Sequence, residues 1–279
     1  MKIQFYIPEH SVCEDVFGCA TLGCPEGNDP EVSFSRDICG DLVCGTYADC
    51  LANIPNKTYQ AAIVLLGNAG EENEFIHTLS IKLQIPLVGG GAAIHPQTGK
   101  TGLITGGKQA AVYLINDDRY HFEVCCENIH KDVLSTHEIT FTDPRQIDFI
   151  DGVDAVLWLT EKKQSLKIPV DDFEHLTLSD LNGINAHLSL VNGKIRSGCD
   201  LKERMQLRFV PASQVYERIH KFYYDKYAIV FGCAGLKGIL PKPLQSKSIG
   251  LFLFGEVCTK NGIGEFGNLM MSKLRILPK

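Results

Sequence analysis

Leu87-Val88 runs directly into Gly89-Gly90-Gly91-Ala92-Ala93, and this segment restricts the fold more than any other. Three successive residues without a Cβ let the backbone take positive φ, or lie against another group at short range. Upstream, Ala61-Ala-Ile-Val-Leu-Leu66 is a continuous apolar run stopped by Gly67-Asn68-Ala69-Gly70, the pattern of a strand buried on both faces. Glu71-Glu72 then suits the positive end of a helix, and Phe75, Ile76, Leu79 and Leu83 recur at spacings of three and four. They predict an amphipathic helix that ends at Ile85-Pro86. Downstream, residues 102–115 predict two short strands, or one bent strand, broken at Gly106-Gly107.

The second half takes up the same theme. Val215, Ile219, Phe222 and Tyr223 mark a helix after Pro211-Ala212-Ser213, with Ser213 as its N-cap. Tyr227 to Phe231 predicts a strand that enters Gly232-Cys233-Ala234-Gly235. The stretch AIVFGCAG from Ala228 resembles AIVLLGNAG from Ala62 with one residue inserted. Chance alone can give such a match; otherwise the halves are related units, each placing a strand end and a Gly-rich turn at a site. Ile249 to Phe254, Gly255-Glu256, a Gly-rich hairpin over 261–267 and a last strand over 268–277 complete the chain. The expected fold is α+β: two α/β halves, residues 1–135 and 136–279, with mixed β-sheets flanked by helices and a ligand site at strand ends between them.

With 279 residues, 44% of them hydrophobic, the chain can bury a sizeable core. A formal charge of −6 and no basic run longer than Lys162-Lys163 argue against nucleic acid as a partner. The start, MKIQFYIPEHSVCEDV, lacks a signal peptide's apolar stretch, and runs such as Ala61 to Leu66 are too short to span a bilayer. These features predict a cytoplasmic protein with no membrane partner. Eleven cysteines, an odd number, leave free thiols or metal ligands as the options. Cys19 and Cys24, like Cys39 and Cys44, have C-x4-C spacing that can hold zinc or an iron–sulfur cluster. No C-x2-C occurs, so buried free thiols and no cofactor are the main expectation, with a metal or redox role, extending to Cys125-Cys126, as the alternative.

Two motifs fail on context. Gly262, Gly264 and Gly267 match G-x-G-x-x-G, but a dinucleotide fold needs a following helix, another strand and an acidic residue about 20 positions on. These are read as turn glycines. Thr98-Gly99-Lys100-Thr101 ends like a P-loop, yet Ile94 stands where its first glycine belongs. The nine histidines show no H-E-x-x-H; His95 is kept as a candidate because it follows the glycine triplet by four residues.

Three places then pair a strand end with glycine: Gly89-Gly90-Gly91, Gly232 to Gly235, and Gly255-Glu256. Turn N–H groups outside strand ends hold carboxylates and phosphates. With Cys233 as a thiol and Glu256 as a carboxylate, the set suits an amino-acid-like molecule whose amine pairs with Glu256. The alternatives are close-packed turns without a ligand, or an enzyme using Cys233 as nucleophile with His95 or His220 brought near as base.

Pro86 to Ala93 (PLVGGGAA), Val230 to Gly235 (VFGCAG), Ile249 to Glu256 (IGLFLFGE) and Asn268 to Ile276 (NLMMSKLRI) together resemble the FIST domain, named for F-box and intracellular signal transduction. The resemblance covers roughly residues 55–279 and lies in the order of these short motifs. It implies a sensory domain that binds a small ligand such as an amino acid, with a separate signalling protein as partner. By position, Gly89, Gly90 and Gly91 match the family's double-glycine segment and Cys233 its cysteine segment. Gly255 and Glu256 match its Gly-Glu pair, and Asn268 its late asparagine. Gly235 and His95 join the candidate ligand site from the reading above. The family's arginine after C-A-x has no counterpart, since Leu236 and Lys237 follow. Lysine lacks the planar fork that grips a carboxylate in two bonds.

Overall fold

The computed structural model describes residues 2–4, 31–33, 38–67, 71–91, 109–225, 227–242 and 249–279. The first stretch carries β1 (Gly40–Gly45), α1 (Tyr47–Ala52), β2 (Ala61–Leu66), α2 (Glu72–Leu83), β3 (Leu87–Gly91), β4 (Ala110–Ile115) and β5 (Tyr120–Asn128). The middle carries β6 (Asp132–Thr140), α3 (Ala155–Ser165), β7 (Leu176–Ser179) and β8 (Arg204–Phe209). The last stretch runs α4 (Ala212–Tyr223), β9 (Ala228–Cys233), α5 (Ala234–Gly238), β10 (Ile249–Leu253), β11 (Glu256–Lys260), β12 (Ile263–Gly267) and β13 (Met270–Pro278). Strands and helices are both well represented and the sheets are mixed or antiparallel, so the fold is α+β.

One sheet has the order β12-β11-β3-β2-β4-β1, and a second has β10-β9-β13-β5. A third joins β6, β8 and β7 with the short strands Phe149–Ile150, Val153–Asp154 and Asn185–Ala186. Among the described residues of the first two sheets, the parallel pairs are β2 with β3 and β9 with β10. Each pair is joined through a helix, α2 in one case and α5 in the other. The two stretches that look alike in sequence thus begin the same kind of strand–helix–strand connection.

Period-two alternation explains how these sheets stack. On β2, Ile63 and Leu65 pack with Ile229 and Phe231 of β9 in a core between the first two sheets. Ala62, Val64 and Leu66 point the other way, into a core with Phe75, Ile76 and Leu79 of α2. Val230 of β9 likewise turns away, towards Val215, Ile219 and Phe222 of α4. Two sheets therefore lie face to face with helices outside them, and both strands are fully buried because each is covered on two sides.

The halves interleave in sequence. β11 and β12 complete the sheet of β1 to β4, β5 completes the sheet of β9, and position 136 falls inside β6. Several local expectations need correction. The N-cap of α4 is Pro211, not Ser213, which lies in the first turn. The glycine triplet forms the end of β3 rather than a turn beyond it. Of the late glycines, Gly262 sits in the Asn261-Gly262 turn with positive φ, whereas Gly264 and Gly267 belong to β12. The break expected at Gly106-Gly107 lies outside the described residues. No helix among the described residues is long and apolar enough to cross a membrane.

Candidate functional site

The end of β3 is where the glycines matter. Gly89 has φ of 132° and pairs with both β2 and β11; a Cβ there would stand 1.9 Å from the Val64 carbonyl oxygen. At Gly91 a Cβ would meet the Phe254 carbonyl oxygen at 2.3 Å. That contact is a hydrogen-bonded join: the Gly91 N–H donates to Gly255 O at 2.9 Å, and the Phe254 N–H donates to Gly91 O at 2.8 Å. Two of the three strand ends singled out in the sequence are thus bonded to each other. The third enters through Cys233, the last residue of β9 and one wall of the same cavity.

This cavity has a volume of about 440 Å³. Gly91, Cys233, Gly235, Gly255 and Asn268 line it, five of the residues expected at a ligand site. Gly255, at φ of 87°, lies flat against the Phe266 ring, with room for no side chain between them. Gly89 and Gly90 are buried in the ladder behind the cavity, and Glu256 lies behind its wall. His95 lies outside the described residues, as do Cys19 and Cys24.

Glu256 is wholly buried at the start of β11. Its Oε2 accepts the Met270 N–H at 3.1 Å, and the Cys233 thiol stands beside it. Burial drives the carboxyl well above the usual carboxylate range and so favours its protonated form. Burial, and next the Glu256 carboxyl, also push the Cys233 thiol up, against the opposing pull of the Leu269, Gly235 and Gly255 N–H groups. Cys233 is therefore held as a thiol, which works against its use as a nucleophile. Asn268 is 7% exposed, and its Oδ1 has no hydrogen-bond partner among the described residues.

The remaining wall comes from residues that the sequence did not single out. Arg145 reaches from the loop after β6 to bond Glu72 Oε2 at 3.0 Å and Asp200 Oδ1 at 2.9 Å, so its guanidinium is already engaged. Glu174 sits in a turn capped by Asp172, whose Oδ1 accepts the N–H groups of Glu174 and His175. His187 follows the short strand Asn185–Ala186, and its buried Nε2 makes no hydrogen bond among the described residues but stands 3.9 Å from Glu174 Oε1. Burial lowers its pKa and keeps the ring neutral. His187, rather than His220, is the histidine on the Cys233 cavity, because His220 stacks between Tyr216 and Tyr224 on α4. No motif flagged these four side chains. The one available signal was Glu72, an acid at the start of a helix whose burial requires a cation from elsewhere.

No group of three or more His, Cys, Asp or Glu side chains among the described residues is placed to hold a metal ion. Cys39 is exposed and touches Arg119, and Cys44 lies on β1. What the cavity offers a molecule is an unsatisfied amide oxygen, a neutral imidazole, the Glu174 carboxyl and the Gly-rich backbone, with the Arg145 guanidinium already paired to Glu72 and Asp200. Comparison of the chain with protein-family models and with curated proteins gives no match in either case.

Proposed function

We propose that this chain is an intracellular small-molecule sensor of the FIST kind, taking an amino acid or similar polar metabolite into the cavity between β3, β9 and the Phe254–Gly255 crossing. The observation that carries the reading is the convergence of separate strand ends around one cavity with the buried, unpartnered Asn268 Oδ1 on its wall. A buried acceptor left unpaired costs about 1–3 kcal/mol, and a ligand N–H removes that cost. The volume falls within the range of roughly 300–1,000 Å³ usual for small-molecule sites. A separate signalling protein then reads the liganded state.

The test is differential scanning fluorimetry of ligand-free protein against the standard amino acids and small amines. One class should stabilise the protein saturably, by about 2.7 kcal/mol at a hundredfold excess over Kd. Gly235→Leu, which fills the cavity, should abolish the shift. No stabilisation by any compound, or an undiminished shift in the filled variant, overturns the reading.

A further inference from the structure

Ser135 and His137 stand two residues apart on β6, so the strand places both side chains on one face. Their partners across the ladder, Leu207 and Met205, are buried, which makes this the inner face. The register shifts at the Leu207–Arg208 step, leaving Leu134 as the extra residue of a bulge directly before Ser135. Bulges of this sort re-aim a side chain. Ser135 Oγ is hydrogen-bonded to His137 Nε2, and His137 Nδ1 to Asp151 Oδ2 at 2.6 Å.

Asp151 is positioned from the other side. It forms, with Gly152, the two-residue turn between Phe149–Ile150 and Val153–Asp154, both with positive φ. The turn docks on β6 through the Glu138 N–H, which donates to Asp151 Oδ1 at 3.0 Å, and the Asp151 N–H, which donates to Glu138 O at 2.9 Å. The edge of the Trp158 ring from α3 closes on the imidazole, with ring centroids 4.6 Å apart. His137 is 10% exposed at its side chain, and Ser135 is half-buried.

The nitrogens are used in the order that hydroxyl activation demands. The carboxylate holds the proton on Nδ1, which leaves the Nε2 lone pair for the serine O–H. Ladder alternation supplies one more group. The Glu138 N–H points away from β8, so the Thr136 N–H points to the same edge. Phe149–Ile150 covers that edge only at Ile139 and Thr140. The Thr136 N–H is thus placed to meet an oxyanion one residue from the hydroxyl.

We propose that Ser135, His137 and Asp151 form an acyl-transfer site, separate from the cavity, that hydrolyses small esters. Ser135 Oγ attacks the ester carbonyl as His137 Nε2 takes its proton. The Oγ–acyl bond forms, the bond to the alcohol oxygen breaks, and the proton passes from Nε2 to that oxygen. Water, deprotonated by Nε2, then attacks the acyl carbonyl; the Oγ–acyl bond breaks, the acid leaves and Ser135 recovers its proton. Asp151 is the positioning residue. Exposed Val153 and Leu157, on the strand after the turn and on α3, favour an apolar acyl or aryl group.

The experiment uses the full chain and a fluorophosphonate, whose P–F bond breaks as Oγ–P forms, with the adduct located by peptide mass spectrometry. A single adduct on Ser135 is expected, absent in Ser135→Ala and formed about 100-fold more slowly in His137→Asn. Hydrolysis of p-nitrophenyl acetate should fall in the same order. A downfield proton resonance from His137 Nδ1–H should be present in the wild type and lost in Asp151→Asn, while circular dichroism shows both folded. No adduct on Ser135, or an equal rate in folded His137→Asn, overturns the proposal.

Discussion

Glu256→Gln separates a buried acid that stays protonated from one that ionises. Glu256 is fully buried, and burial holds its carboxyl well above the usual range. An unfolded glutamate releases its proton near about pH 4.3. Between that pH and the raised folded value, the unfolded chain therefore binds one proton fewer than the native chain. Stability then falls as pH rises, by about 1.4 kcal/mol per pH unit. Glutamine is neutral in both states and keeps an oxygen for the Met270 N–H, so it removes this dependence and retains the hydrogen bond that Glu256 Oε2 makes. The difference in unfolding free energy, wild type minus variant, should fall by about 1.4 kcal/mol for each pH unit above about pH 5, for as long as the native carboxyl holds its proton. Urea denaturation followed by circular dichroism at each pH measures it. Parallel stability curves for the two proteins would show that Glu256 is ionised in the native state and would refute the argument from burial.

Two further outcomes follow from the same geometry. Gly89→Ala should cost more than about 3 kcal/mol, since a Cβ would strike the Val64 carbonyl oxygen at 1.9 Å and φ is 132°. Gly193→Ala, with positive φ but open space around it, should cost about 1 kcal/mol, so equal urea midpoints would contradict the contact. Under iodoacetamide at neutral pH, exposed Cys39 should react in the native protein, whereas Cys199, pushed up to about 12 by burial, and Cys233 should react only on unfolding. A Cys233 that labels as fast as Cys39 would restore the nucleophile reading.

The parts of the fold legible in sequence are those where one local cause suffices. Ala61 to Leu66 is apolar throughout because packed layers cover both its faces, and a run of six is enough to register that. The triplet Gly89-Gly90-Gly91 announces close approach, but its partner is Phe254-Gly255, and no spacing rule connects segments so far apart. The middle region was opaque for a different reason. Strands such as Phe149–Ile150, Val153–Asp154 and Asn185–Ala186 have two residues each, too few to show a period. Arg145, Glu174 and His187 reach the cavity from the loops around such elements. Glu72 is legible as a helix-opening acid, yet its burial depends on Arg145, which only the tertiary fold brings close.

The cavity's position follows from the way the chain changes sheets. After β10 it leaves the second sheet through Phe254-Gly255 and enters the first as β11; after β12 it returns through Asn268-Leu269 to β13. Both crossings need left-handed backbone, at Gly255 with φ of 87° and at Leu269 with φ of 51°. The Met270 N–H to Glu256 Oε2 bond ties one crossing to the other, and the Asn268 N–H is satisfied by Asn185 O at 2.9 Å. These bonds give Gly255, Glu256 and the Asn268 backbone a structural reason to be where they are. They do not use Asn268 Oδ1, which is buried without a hydrogen-bond partner among the described residues, whereas His187 Nε2 on the same wall stands 3.9 Å from Glu174 Oε1. A requirement of folding alone would be met at lower free-energy cost by an apolar side chain at position 268. Under the proposed function, a bound molecule supplies the hydrogen bond that Asn268 Oδ1 lacks. The sheet crossings explain where the cavity is, and the unsatisfied amide oxygen explains why it is polar.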